Sequence, residues 1–182
     1  NIREKVMPPL SEAELAKGVT LAIRHYLSQG ITSLQDATVV NDFRRWRKFR
    51  QFKADGKLKS RLYMMTGIEG LSQFQEAGLA SGSGDNQLRL GGLKIVPNEA
   101  TGQLYPPQPE LNQQVLDAHR AGFQVAIHAV RQSTVEAAII ALEYAHSQLP
   151  QAVRRHRIEH CSECPPRLLK RLKKLQAVVV TQ

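Results

Sequence analysis

The order of its segments constrains this chain most. Helix-type stretches alternate with short strand-type stretches from end to end, and no two neighbouring strand-type stretches are joined by a hairpin signal. Strands separated in this way pair parallel through right-handed crossovers, which makes the fold class α/β. Ser11-Glu12-Ala13-Glu14 is a capping box that opens a helix over about Glu12–Gln29, and Gly30 ends it. The following segments read as strand Ile31–Asp36, helix Asp42–Asp55, strand Ser60–Thr66, a shorter helix Glu69–Ala80, the loop Ser81–Asn86 and strand Gln87–Val96. Pro109 stands at the favoured first position of a helix to about Arg120, and strand Phe123–Val130 comes next. Ser133-Thr134-Val135-Glu136 reads as a second capping box, opening a helix to about Gln148. Strand Arg157–His160, a basic helix Pro165–Leu175 and the apolar strand Ala177–Thr181 complete the series. These six strands suit either an open doubly wound sheet or an arc of an eight-stranded barrel. No glycine fingerprint follows the first strand, which disfavours a dinucleotide-binding sheet.

The 182 residues are enough for one domain with a real core. No apolar run reaches the length of a membrane span, and no secretory signal is read. Two cysteines give no disulfide framework, so a reducing cytoplasm is the expected compartment. The chain starts at Asn1, and both of its ends read as cuts through a longer protein. The net charge of +9 gathers in Arg44–Arg61, Arg154–Arg157 and Arg167–Lys174. Such runs can hold nucleic acid or other anionic partners. Phe43, Trp46, Phe49 and Phe52 recur at helical spacing, however, so the first run reads as the wet face of a helix with a buried aromatic stripe. A basic binding module is therefore the alternative reading, and nucleic acid is disfavoured.

Three residues are candidates for the chemistry. In Phe123–Val130, alternation puts Val125, Ile127 and Ala129 on one face and Gln124, Ala126 and His128 on the other. His128 then stands at the C-terminal end of its strand, where α/β proteins build their sites. In Gln87–Val96 the same count puts Leu93 and Ile95 toward the helices and Lys94 inward with Leu90 and Gly92. An inward ammonium is costly unless paired or modified. His160 closes the strand Arg157–His160, with Arg157 and Glu159 then expected against the helix layer. His156-Arg157-Ile158-Glu159-His160 also matches the inverted zinc-protease pattern H-x-x-E-H, whose histidines need a helix. On a strand they lie about 13 Å apart and share no ion. Cys161-Ser162-Glu163-Cys164 lacks a second cysteine pair and reads as ordinary thiols.

Taken together, these segments resemble the amidohydrolase superfamily, in particular amidohydrolase family 3 with its N-substituted formamide deformylase-like enzymes. The resemblance is carried by Gly30–Ala37, by Gly92-Leu93-Lys94-Ile95-Val96 with Glu99-Ala100-Thr101-Gly102, by Val125–Ala129 and by His156–His160. It implies a (β/α)₈ barrel of which this chain covers about six of eight units, strands two to seven, as a single incomplete catalytic domain. It further implies that Lys94, carboxylated in many relatives, and His128 and His160 are metal ligands. One or two divalent ions, zinc foremost, would act on a small-molecule amide or formamide. The family's strand-one H-x-H and its strand-eight aspartate, the general base, are not among these residues. The resemblance thus implies a fragment that does not turn over alone, with exposed sheet edges that invite homo-oligomers.

Overall fold

The computed structural model describes residues 10–100, 102–150 and 154–181. Ser11 caps α1 (Glu12–Ser28): its hydroxyl accepts from the Glu14 N–H, and the Glu14 carboxylate accepts from the Ser11 N–H at 2.8 Å. The chain continues through β1 (Ser33–Asp36), α2 (Phe43–Ala54), β2 (Arg61–Gly67), a 3₁₀ turn (Ile68–Gly70) and α3 (Leu71–Glu76). Then come β3 (Leu88–Ile95), β4 (Asn98–Ala100), β5 (Gln103–Tyr105), α4 (Gln108–Arg120), β6 (Val125–Ala129) and α5 (Gln132–Gln148). The last elements are β7 (Arg157–His160), α6 (Pro166–Lys174) and β8 (Val178–Val180).

Six strands form one sheet in the order β1-β2-β3-β6-β7-β8, and every pairing in it is parallel. The sheet curls: Arg157 Nη1 on β7 reaches Gln35 Oε1 on β1 at 3.2 Å across the concave side. This is an arc of a (β/α)₈ barrel, with β1 and β8 as its edge strands among the described residues. Among the described residues no helix is long and apolar enough to cross a membrane.

The core lies between the convex side of the sheet and the helices. Leu88, Leu90, Leu93, Val125, Ile127 and Ile158 supply its sheet side. Alanines at 137, 138, 141 and 145 let α5 settle close to the strands. Trp46 and Phe52 of α2 are buried, and Phe74 meets Phe43 edge-on at 5.6 Å. Each such side chain contributes about 1.5–3 kcal/mol on burial.

Four local expectations are corrected. The link from β3 to α4 contains a hairpin, β4 with β5, paired antiparallel from Ala100↔Gln103 to Asn98↔Tyr105. Gly102, just before β5, has a φ of 75° that supplies a left-handed bend. The second capping box does not form. Arg131 caps α5 without a side-chain bond, because the Ser133 hydroxyl is drawn to the Glu99 carboxylate of β4 and Glu136 to Arg167 of α6. The helix read over Glu69–Ala80 shrinks to α3. Pro109 is the second residue of α4, not the first.

Candidate metal centre

Register fixes what faces the concave side. In β3 the pairing with β2 slips by one residue, from Met64↔Leu90 to Thr66↔Leu93. The extra residue is taken up at Gly91-Gly92. A Cβ on Gly92 would sit 2.7 Å from the Gln124 carbonyl oxygen, and one on Gly91 would sit 2.4 Å from the Tyr63 ring. This bulge reverses the alternation. Leu90 therefore faces the helices with the core and Lys94 faces inward, so the two do not share a face as simple alternation predicts.

Lys94 pairs in register with Gly67 on one side and Ala126 on the other, and it is 7% exposed. Burial pulls its pKa below the usual amine value; the Glu159 carboxylate opposes that pull and Arg157 adds to it. His128 follows Ala126 by two residues, one inward row nearer the mouth. Burial, then the neighbouring His160 and Lys94, hold the His128 imidazole below its ordinary pKa, in the neutral form that ligates metals.

His160 pairs with Ala129, and strict alternation would send it to the helix side with Ile158. It does not go there. His160 has φ 73° and Cys161 φ 54°, left-handed values at two successive non-glycine residues. The Cys161 N–H still donates to the Ala129 carbonyl at 2.9 Å, so the chain stays in the sheet while the ring turns. The His128 and His160 rings meet at a centroid distance of 4.6 Å, tilted by 71°.

The same register corrects Arg157 and Glu159. Glu159 pairs with His128 and Arg157 with Ala126, so both point into the concave side instead of the helix layer. There they form a largely buried pair, Nε to Oε1 at 2.9 Å and Nη2 to Oε2 at 3.3 Å, with side chains 13% and 11% exposed. Counting outward from the core residue Ile158, rather than inward from His160, gives this orientation from the sequence alone.

Among the described residues no three His, Cys, Asp or Glu side chains are grouped to hold a metal ion. The donors on the concave side are two imidazoles in contact, one buried amine and the Glu159 carboxylate, which is taken up by Arg157. That chemistry fits a borderline divalent cation at the two imidazoles, which the Lys94 amine joins only without its proton or with its charge removed by modification.

A family model described as the amidohydrolase family matches residues 1–182. This chain belongs to the amidohydrolase family. Among solved structures, the amidohydrolase chain is similar to an uncharacterised metal-dependent hydrolase from Pyrococcus furiosus, at 24% identity and a TM-score of 0.79 over 100% of the chain. It is also similar to one from Pyrococcus horikoshii, at 23% identity and a TM-score of 0.77 over 100% of the chain. At these identities the likeness speaks for the fold. The chain spans 40% and 38% of the lengths of those two structures. No curated protein matches it significantly.

The other motifs of this amidohydrolase chain go elsewhere. His156 lies before β7, at the opposite end of the strand from His160, so H-x-x-E-H is no metal motif here. His156 Nδ1 accepts from the Val125 N–H and its Nε2 meets His119 Nδ1, both at 2.9 Å. Nothing in the sequence flagged His119. Cys161 and Cys164 are free and half-buried, and burial with the neighbouring Cys164 thiol pushes the Cys161 pKa up to about 12, which leaves it inert. The basic runs are partly neutralised: Arg167 pairs with Glu136, Arg171 with Glu143 and Lys48 with Glu12.

Proposed function

We propose that this chain forms the central part of a metal-dependent amidohydrolase site that cleaves a non-peptide carbon–nitrogen bond of a small amide or formamide. The contact between the His128 and His160 rings carries this reading. Lys94, His128 and His160 are its metal ligands. A divalent cation bound there, zinc by preference for the imidazole donors, supplies an acidified water and polarises a carbonyl. His128 and His160 hold the cation through neutral imidazole nitrogens. Lys94 joins them once carboxylated, which replaces a buried positive charge by an oxygen donor. The N-substituted formamide deformylase-like subtype is the substrate class that the sequence motifs favour.

The H-x-H and the aspartate that complete such a shell have no counterpart among the 182 residues. On this reading these residues alone turn over no substrate. The half-buried free thiols suit a reducing cytoplasm, and β1 and β8, the edge strands among the described residues, offer a route to self-association. Zinc retained after dialysis tests the proposal. Wild type is expected to keep zinc that His128→Ala and His160→Ala lose, and equal retention by all three overturns it.

A further inference from the structure

Burying an ion pair on the concave side is expensive, and an apolar pair of the same volume would give an equally stable or more stable protein. Arg157 and Glu159 are nevertheless largely withdrawn from solvent there, and both ends of the guanidinium fork are used. The pair also has a direction. Glu159 is level with His128 and Arg157 is level with Ala126 and Lys94, one inward row or about 6–7 Å deeper along the strand. Gln35 of β1 holds the guanidinium from across the arc at 3.2 Å, so the positive end stays at the floor.

We propose that Glu159 is a positioning residue of the metal centre: with Arg157 it makes an oriented ion pair whose negative end lies beside His128, and that orientation draws a divalent cation toward the two imidazoles. The proposal rests on the metal-binding reading of His128 and His160. The fork matters because a carboxylate free to rotate could instead close on Lys94, a cation that its field reaches on this face. Held by two hydrogen bonds, Glu159 keeps its charge at the mouth without becoming a ligand. Groups in the shell around metal ligands typically change affinity by about 10–100-fold when removed, and that range is the scale expected for Glu159.

The test is a Co²⁺ titration of the 182-residue chain, read from the visible d–d absorption, with circular dichroism to verify folding. Wild type should bind more tightly than His128→Ala. Glu159→Gln, which keeps the shape and removes the charge, should weaken binding about 10-fold or more while the band keeps its position, and Glu159→Asp should recover most of the loss. If wild type titrates like His128→Ala, the metal reading itself falls. If wild type exceeds His128→Ala and Glu159→Gln matches wild type, the metal reading stands and the positioning role is overturned. A shifted band in Glu159→Gln would mean displaced ligands and equally overturns it. Should Glu159→Gln not fold, Arg157→Lys decides, because it keeps a cation and loses the fork. Affinity equal to wild type in that variant also overturns the proposal.

Discussion

Replacing His156 by asparagine should remove one defined part of the dependence of this protein's stability on acid pH. The Val125 N–H points at His156 Nδ1, so the ring proton sits on Nε2 and is donated to His119 Nδ1. His119 then carries its own proton on Nε2, which faces the Leu149 carbonyl at 3.2 Å. Neither ring can accept a second proton without breaking a bond. Burial foremost, then the charges of His119, Arg154 and His146, lower the His156 pKa from 6.5 to about 3. The folded pKa is depressed, so the unfolded chain takes up a proton below pH 6.5 that the folded chain refuses. The stabilisation is complete above pH 6.5 and is lost as pH falls toward 3. The slope is about 1.4 kcal/mol per pH unit, with an upper limit of about 5 kcal/mol for the whole interval.

In His156→Asn the shorter amide side chain can take over the acceptor role toward Val125 but cannot reach His119 as Nε2 does. The substitution should cost about 1–3 kcal/mol at pH 8 for the lost bond to a buried partner. Its disadvantage should shrink steadily as the pH is lowered from 6 to 4. Urea unfolding followed by the fluorescence of the buried Trp46 measures both quantities. Parallel pH profiles for wild type and variant would refute the assignment of tautomers, whatever the difference at pH 8.

Gly92→Ala should lower stability by about 1–3 kcal/mol, seen as a lower melting temperature, because its Cβ would meet a backbone carbonyl that cannot yield. Ser11→Ala should cost about 1 kcal/mol through loss of the capping box, whereas Ser133→Ala should leave α5 intact and instead hasten proteolysis of the β4–β5 ribbon. Arg171→Ala should cost under about 1 kcal/mol, and high salt should erase the difference, since its carboxylate partners are part-exposed.

The helices and strands were legible because their signals are local. The box at Ser11–Glu14, the stripe Phe43–Trp46–Phe49–Phe52 and the run Val125–Ala129 each specify one element within a few residues. The β4–β5 hairpin was missed because its strands are three residues long, too short for alternation to show, and its turn glycine Gly102 looks like any loop glycine. Ser133–Glu136 satisfies the pattern of a cap, yet two long-range partners, Glu99 and Arg167, claim both side chains. The pairing of His119 with His156 joins residues 37 apart and leaves no periodic trace.

The candidate site depends on two breaks in the pleat rather than on the pleat itself. Strict alternation from Leu88 and Leu90 would carry Lys94 into the helix layer, and strict alternation from Ile158 would carry His160 there too. The extra residue at Gly91-Gly92 turns the first back inside, and the left-handed backbone at His160 and Cys161 turns the second. The first device needs only glycine. The second places two non-glycine residues in a conformation that costs about 1–3 kcal/mol each, held by the Cys161 N–H to Ala129 and the Glu163 N–H to Val130, the latter at 2.9 Å. A chain selected for stability alone would put glycine at 160 and keep an apolar residue at 94. That both positions instead carry polar groups turned to the same concave face, at a local energetic cost, is the physical reason to read them as one site.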